Sequence, residues 1–272
     1  MCRWLAYSGG PIYLEELIFL PEHSLIDQSL SADQGETTTN GDGFGVGWYD
    51  SRERAGVYRD IQPAWNDHNL RDLAHQVQSR LFLAHVRAAT GTAVQQTNCY
   101  PFRHENWIFV HIGSIAEFAR IKRELSFAIA PELYTKILGT TDSEIMFCLA
   151  LTFGLQENPV LALEKMVGLV ERVGHENGIE YPLQMTLGLS DGKRLYGVRY
   201  SSEGRSRTLY HSPSIKALKE AFPGLVHYSD DARSVVSKPF GELSEYWEEI
   251  EESTVFIVDG PEVETVPFTP RL

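Results

Sequence analysis

Apolar residues in this chain fall into short runs separated by turn residues, a pattern that is typical of buried strands. The first run, 2–8 (CRWLAYS), is followed by Gly9-Gly10-Pro11, and we predict a strand that stops at this turn. Residues 43–49 (GFGVGWY) alternate large and small side chains, which predicts a strand against which another backbone packs closely. Further strands are predicted at 81–89, 107–111, 183–189, 195–199, 207–211, 234–237 and 254–258.

Two stretches have helical spacing instead. Residues 143–153 follow the capping residues Thr141 and Asp142, and residues 159–173 begin with a proline and repeat apolar positions every three to four residues. Because no strand–helix–strand repetition accompanies them, we predict an α+β sandwich rather than a parallel doubly wound sheet. Residues 27–42 are polar and predict a surface loop. No linker composition interrupts the chain, so we expect one domain over 1–272.

The charge balance narrows the class of partner. The chain has 24 basic and 37 acidic side chains, a net charge of −13, which repels nucleic-acid phosphates and anionic lipid. The expected partner is therefore a small molecule or another protein. Because no signal peptide or run of eighteen apolar residues occurs, we expect a cytoplasmic protein that does not bind a membrane.

The cysteine and histidine spacings predict no metal and no cofactor. Cys2, Cys99 and Cys148 are far apart in the sequence, and the nine histidines do not have the spacing of zinc ligands. Neither a disulfide framework nor a zinc site is expected, and free thiols are typical of a reducing compartment.

Cys2 is a candidate nucleophile because of its position. Removal of Met1 would leave a thiol and a free α-amine on one residue, and an amine with a pKa of about 7.7–8.0 can act as the base for its own thiol. If Met1 stayed, that nitrogen would be an amide and no base. Taken alone, a cysteine at this position is more typical of a buried apolar residue than of a nucleophile.

Two further charged residues are candidate ligand contacts. Arg87 lies in an apolar run (84–92, AHVRAATGT), and a buried guanidinium needs a carboxylate from the protein or from a ligand. A planar carboxylate of a ligand would suit its paired donors. Asp142 stands at a helix start, where it is either a plain cap or a ligand contact.

Together these motifs resemble the class II glutamine amidotransferases, which are N-terminal-nucleophile hydrolases. The resemblance rests on MCRW at 1–4, GDGFGVGWY at 41–49, AHVRAAT at 84–90, NCYPF at 98–102 and TTDSE at 140–144. It is strongest to the stand-alone branch that includes the γ-glutamyl amidohydrolases of ergothioneine and thiol metabolism. It implies a four-layer α-β-β-α sandwich of two antiparallel sheets.

The resemblance also implies a role for each candidate residue. Cys2 would attack the side-chain amide of glutamine or of a γ-glutamyl compound, form a thioester and release ammonia or an amine. Arg87, with Thr90 beside it, would bind the substrate α-carboxylate, and Asp142 would bind the α-ammonium group. The Gly113 amide would stabilise the oxyanion. Because no synthase domain follows residue 272, ammonia would be released or passed to a separate acceptor enzyme.

One departure from the family pattern predicts slow turnover or none. The family has His-Asn-Gly in its oxyanion segment, whereas this chain has His111-Ile112-Gly113. Isoleucine donates no hydrogen bond, and loss of one oxyanion donor costs on the order of 10²–10³ in rate. Two alternatives to the amidohydrolase therefore stay open. The first is an impaired γ-glutamyl-binding protein; the second is a cysteine protease that uses Cys99 or Cys148.

Overall fold

The computed structural model describes residues 2–31, 39–89, 91–219, 223–241 and 244–272, and within them the strands form two antiparallel sheets. The first sheet contains β1 (Arg3–Tyr13), β2 (Phe44–Tyr49), β3 (Gly56–Asp60), β4 (Gln78–Val86), β9 (Tyr210–His211), β10 (Arg233–Val236) and β11 (Glu248–Glu249), in the order β11-β9-β10-β1-β4-β2-β3. The second contains β5 (Phe102–His104), β6 (Trp107–Ile115), β7 (Leu183–Ser190), β8 (Arg194–Ser201), β12 (Thr254–Asp259) and β13 (Glu262–Pro267), in the order β13-β12-β8-β7-β6-β5.

Helices cover the outer face of each sheet. They are α1 (Glu15–Ile18), α2 (Leu25–Leu30), α3 (His68–Gln76), α4 (Phe118–Phe127), α5 (Pro131–Tyr134), α6 (Asp142–Thr152), α7 (Pro159–Glu176) and α8 (Ile215–Leu218), with 3-10 turns at Ala64–Asn66, Gln96–Asn98, Pro223–His227 and Ser244–Tyr246. Helices α2 and α3 contact β1, whereas α6 contacts β6 and α7 contacts β7. Because β1 also contacts β6, β7 and β8, the sheets pack face to face. The predicted α+β, four-layer α-β-β-α sandwich is confirmed.

The side chains of β1 alternate between two cores. Trp4 and Ala6 belong to the cluster that β1 shares with the second sheet, while Leu5 and Tyr7 pack toward α1–α3. The predicted stop at Gly9-Gly10-Pro11 is wrong, because β1 continues to Tyr13 through an irregularity between Ser8 and Ile12. At this irregularity the Gly10 amide donates a hydrogen bond to the Ser229 hydroxyl, so it has a partner although the regular pairing of the strand is interrupted.

Strand β2 confirms the close approach predicted from its glycines. A Cβ atom on Gly45 would lie 2.0 Å from the Tyr100 carbonyl oxygen, and one on Gly47 would lie 2.8 Å from the Pro101 ring. No side chain fits on this face, since real Cβ contacts are not shorter than 3.0 Å. The glycines therefore let the turn at Tyr100 pack directly against the first sheet.

The two helices predicted from spacing are confirmed within one turn. Helix α6 begins after Thr141, whose hydroxyl accepts a hydrogen bond from the Glu144 amide (3.2 Å), and α7 begins at Pro159 after the Asn158 cap. Helix α7 continues to Glu176, beyond the predicted end at 173.

Three other expectations need correction. The predicted loop 27–42 begins inside α2, which a Ser24–Asp27 capping box stabilises; residues 32–38 lie outside the described part of the chain. The predicted strand 207–211 is reduced to β9, Tyr210–His211. Arg87 lies just after β4 rather than within it, because β4 ends at Val86.

Candidate active site

Cys2 lies immediately before β1 and is partly buried beside the end of β4. Its Sγ atom is 3.3 Å from the Ala88 nitrogen and 3.4 Å from the Ala88 carbonyl oxygen. Burial raises the pKa of the Cys2 thiol, and the Ala88 hydrogen bond and the positive charge of Arg87 oppose this rise. The thiol therefore needs a base to become a nucleophile at neutral pH.

The Arg87 guanidinium is buried next to this thiol. It donates to the carbonyl oxygens of Asp42 (3.2 Å) and Ala93 (3.3 Å) and to the Thr92 hydroxyl (2.7 Å). Within the described ranges, no carboxylate lies within 4.0 Å of it, so the partner that its charge requires is not an Asp or Glu of these ranges. A guanidinium has five N–H donors, and these three bonds leave capacity for a ligand carboxylate.

Backbone hydrogen bonds hold this segment against the loop before β2. The Arg87 amide donates to the Gly43 carbonyl (2.8 Å), and the Asp42 amide donates to the Arg87 carbonyl (3.0 Å). The Asp42 carboxylate accepts from the Ala89 amide at 2.8 Å. Sequence reasoning did not identify Asp42 as a support of the site; its place between two glycines, just before a strand, was the available signal.

Thr90, the predicted neighbour of Arg87, lies outside the described residues, so its role stays a prediction. The hydroxyl that contacts Arg87 in the described part is that of Thr92. Gly91 has φ +72°, a conformation that glycine adopts without strain, and this turn brings Thr92 back to the guanidinium.

Asp142 is the first residue of α6, and Thr141 is the cap. One oxygen of its carboxylate accepts from the Ser143 amide (2.8 Å), and the other accepts from the Ile115 amide (2.9 Å). The Ile115 bond joins α6 to the end of β6, two residues after Gly113. The oxygen that accepts from Ile115 has a second lone pair, so Asp142 can still accept a hydrogen bond from an ammonium group.

Gly113 is at a position in β6 that only glycine tolerates. It has φ +144°, and a Cβ atom there would lie 1.9 Å from the Gln184 carbonyl oxygen. Ile112 precedes it, is 4% exposed and pairs across the sheet with Thr186. The Thr186 hydroxyl is buried and makes no hydrogen bond within the described part of the chain.

The face of β6 that carries Ile112 is the face toward β1. If Gly188 of β7 had a Cβ atom, that atom would lie 2.9 Å from the Trp4 ring and 2.9 Å from a Val110 methyl group. The Val110 side chain is therefore on the face that packs against β1. Ile112 is two residues from Val110 and therefore shares its face. Cys2 packs against the same inter-sheet core as Trp4. Cys2 and Ile112 thus belong to facing surfaces, although no hydrogen bond joins Cys2 to Gly113 in the described ranges.

A layer of buried polar side chains connects these residues. The His85 and Tyr100 rings have centroids 4.2 Å apart, and the Tyr100 hydroxyl donates to Ser143 Oγ at 2.7 Å. Burial raises the pKa of Tyr100, and the negative charges of Asp142 and Cys2 add to this effect. Asp142 and Cys2, predicted as ligand contact and nucleophile, therefore both lie near one tyrosine.

Burial keeps both histidines of this layer neutral. It lowers the pKa of His85 to about 3, with the Arg87 charge acting in the same direction. Burial also lowers the pKa of His111, although the Asp142 carboxylate opposes this change. A neutral histidine can donate a hydrogen bond from only one of its two ring nitrogens.

We expect His85 to make the protein less stable in acid. Its pKa is below the ordinary value of about 6.5, so between pH 6.5 and 3 the unfolded chain binds a proton that the folded chain does not. The free energy of unfolding then falls by about 1.4 kcal/mol per pH unit for this group. Urea unfolding at pH 7 and pH 5 should show a smaller fall for His85→Phe than for the wild type. Equal falls would contradict this assignment.

The other two cysteines are poorly placed for nucleophilic chemistry. Cys99 is buried, and its thiol lies 3.3 Å from the Asp60 carbonyl oxygen. Cys148 lies within α6, and burial raises the pKa of its thiol to about 12. A thiol that stays protonated in an apolar environment is inert, which argues against a protease built on either residue.

The described residues show neither a metal site nor a membrane span. No group of three or more His, Cys, Asp or Glu side chains among them is arranged to hold a metal ion. The helices in these same ranges are too short or too polar to cross a bilayer.

Comparison with known proteins matches this chain to one family. The family model for glutamine amidotransferases class-II matches residues 22–258. A solved structure of a glutamine aminotransferase class-II domain protein from Silicibacter pomeroyi aligns with a TM-score of 0.77 and 31% identity over 99% of this chain and 100% of that one.

Two curated relatives match parts of the chain. The probable glutamine amidotransferase DUG3 of Saccharomyces cerevisiae is 41% identical over 56% of this chain and 45% of its own length. The gamma-glutamyl-hercynylcysteine sulfoxide hydrolase of Mycolicibacterium smegmatis is 33% identical over 42% of this chain and 52% of its own length. The chain thus matches about half the length of these relatives. The extent of the family-model match shows that the chain belongs to the class II glutamine amidotransferases.

Proposed function

We propose that this protein hydrolyses the side-chain amide of glutamine or of a γ-glutamyl conjugate through a thioester on Cys2. The observation that carries the proposal is the contact of the Cys2 thiol with Ala88, next to a buried Arg87 whose charge meets no carboxylate in the described residues. The names of two relatives, a glutamine amidotransferase and a γ-glutamyl hydrolase, support the same substrate class.

Removal of Met1 precedes the reaction and leaves the Cys2 amine as the base. This amine takes the thiol proton, and the thiolate attacks the carbonyl carbon of the side-chain amide. The Gly113 N–H donates to the resulting oxyanion. The carbon–nitrogen bond then breaks, and the ammonia or amine leaves with the proton from the Cys2 ammonium. Water hydrolyses the thioester to the γ-carboxylate and regenerates the thiol.

Two opposite charges select the amino-acid end of the substrate. Arg87, with Thr90 next to it in sequence, binds the α-carboxylate, and Asp142 binds the α-ammonium group. A guanidinium suits a carboxylate because its parallel donors match both oxygens. The substrate is thus a small molecule, and any ammonia is released or used by a separate acceptor enzyme.

The test is a hydrolysis assay on protein whose mass has been measured. We expect the mass to show the loss of Met1, and we expect glutamate to appear from L-glutamine or from members of a γ-glutamyl panel. Glutamate release by protein that retains Met1 would contradict the role of the amine. If processed protein neither binds nor hydrolyses any member of the panel, the proposal is wrong.

Arg87→Lys should weaken substrate binding more than it slows the chemistry. Lysine keeps the charge but lacks the planar pair of donors, so KM for L-glutamine should rise on the order of 10-fold with a smaller change in kcat. The matched substrate is the α-methyl ester of glutamine, which has no α-carboxylate. Its KM should change little, whereas an equal rise for both substrates would indicate general damage to the site.

Ile112 favours one second candidate, a γ-glutamyl-binding protein with little or no turnover. Its buried apolar side chain stands where the family has an amide donor. Tight binding of a γ-glutamyl compound without hydrolysis, by protein that has lost Met1, would support this candidate over the enzyme.

A further inference from the structure

Three side chains meet at the hydroxyl of Ser143, deep between α6 and β6. The Ser143 Oγ atom is 2.7 Å from the Tyr100 hydroxyl, 2.7 Å from His111 Nδ1 and 3.2 Å from a carboxylate oxygen of Asp142. Ser143 and His111 are each 1% exposed, so water does not replace these partners. We call Tyr100, His111 and Ser143 the Ser143 junction.

The hydrogen-bonding capacity of the Ser143 hydroxyl determines which groups in this junction donate and which accept. A serine hydroxyl donates one hydrogen bond and accepts two. Tyr100 donates one of the accepted bonds, and the Ser143 hydroxyl itself donates to the Asp142 carboxylate, so the contact with His111 Nδ1 is the second bond that it accepts.

Asp142 is consequently held by donors on two sides. The Ser143 hydroxyl and amide fix one carboxylate oxygen, and the Ile115 amide fixes the other. His111 and Ile115 are on β6, on either side of Gly113. The orientation of the carboxylate and the position of the Gly113 strand thus depend on the same few hydrogen bonds.

We propose that Ser143, held by Tyr100 and His111, is a positioning residue that orients the Asp142 carboxylate toward the α-ammonium group of the substrate. This inference rests on the proposed function, in which Asp142 binds that ammonium group. A charged acceptor with fixed lone pairs binds an ammonium ion more tightly than one that rotates, because less ordering occurs on binding.

A merely structural role would give a different result, and Tyr49 provides the matched control. Tyr49 is buried like Tyr100, and its hydroxyl also has close partners, the carbonyl oxygens of Asn106 (2.6 Å) and Ser190 (2.8 Å). Tyr49 pairs with Leu81 of β4, whereas Arg3, the residue after Cys2, pairs with Val86, five residues further along the same strand. Tyr49 is therefore well separated from Cys2 along β4. Tyr49→Phe and Tyr100→Phe therefore each remove one buried hydroxyl, but only Tyr100 reaches Asp142 through Ser143.

The experiment measures binding by calorimetry in a Cys2→Ala background, where no turnover occurs. The two ligands are L-glutamine and glutaramate, which has the same amide and carboxylate but no α-amino group. Tyr100→Phe and Ser143→Ala should each weaken L-glutamine binding on the order of 10-fold, the scale of a lost hydrogen bond to a charged group. Neither should change glutaramate binding, Tyr49→Phe should change neither ligand, and Ser143→Thr, which keeps the hydroxyl, should restore part of the loss.

The outcomes separate this inference from the function on which it rests. If the Cys2→Ala protein binds L-glutamine but the junction variants weaken both ligands equally, or weaken neither, the positioning role is overturned and the proposed function stands. If the protein with Cys2→Ala alone binds neither glutamine nor a γ-glutamyl compound, the proposed function falls, and the positioning role falls with it. Tyr100→Phe keeps the shape of the buried ring, so it tests the role even if Ser143→Ala fails to fold.

Discussion

Cys2→Ala should lower amide hydrolysis by about 10⁴-fold or more, because a methyl group cannot form the thioester and removal of a nucleophile has effects of this size or greater. Alanine is also small, so processing of Met1 should continue and the α-amine should remain. The variant therefore removes the thiol alone. The measurement is glutamate release from L-glutamine and from a γ-glutamyl panel, together with intact mass to confirm the processed N-terminus.

Cys148→Ala is the matched control for this loss. It also removes one thiol, but from α6, where burial keeps the thiol protonated. We expect Cys148→Ala to keep its hydrolytic rate while the free energy of unfolding falls slightly, because a small buried group is lost. Activity that survives Cys2→Ala and disappears with Cys148→Ala or Cys99→Ala would reverse the assignment of the nucleophile.

Local patterns predicted those parts of the fold whose cause is local. Thr141 and Pro159 signalled the starts of α6 and α7, and the glycines of β2 signalled the close approach of the turn at Tyr100. The continuation of β1 through Gly9-Gly10-Pro11 was not predictable in this way. There Ile12 and Tyr13 pair with β4, and the Gly10 amide donates to the hydroxyl of Ser229, and both partners are distant in sequence.

The same distinction between local and long-range causes applies to the candidate site. Arg87 stood out because a buried guanidinium has a large cost wherever the rest of the chain lies, and Asp142 stood out at a helix start. The supports of these residues did not stand out. Asp42 and Ser143 are ordinary polar residues in sequence, and they acquire their contacts only when the fold brings Ala89 to Asp42 and brings His111 and Tyr100 to Ser143.

Position 112 offers a way to test the oxyanion site by gain of function. Ile112 occupies the inner face of β6 opposite Thr186, whose buried hydroxyl makes no hydrogen bond in the described ranges. Directly paired side chains on antiparallel strands have Cβ atoms about 4.5–5.5 Å apart, so an asparagine amide at 112 would be within reach of this hydroxyl. The Thr186 hydroxyl would then donate to the oxygen of this amide, and the N–H group of the amide would be free to donate to the oxyanion.

Ile112→Asn should therefore raise kcat for the preferred γ-glutamyl substrate on the order of 10²–10³-fold, which is the effect of one oxyanion donor. The same change should lower the free energy of unfolding, because a polar group replaces a buried apolar side chain. The measurement is kcat and KM on processed protein, with urea unfolding to follow stability. The gain should appear in kcat with little change in KM, since the donor acts on charge that develops in the transition state.

Two variants separate the donor from the change in volume. Ile112→Leu removes the β-branch and gives a shape close to that of asparagine without a donor, so it should leave kcat near that of the wild type. Ile112→Asn combined with Thr186→Val should lose part of the gain, because the amide then lacks its orienting partner. Equal rates for Ile112→Asn and Ile112→Leu would mean that the Gly113 amide and a donor other than residue 112 already stabilise the oxyanion, and that Ile112 does not limit this protein.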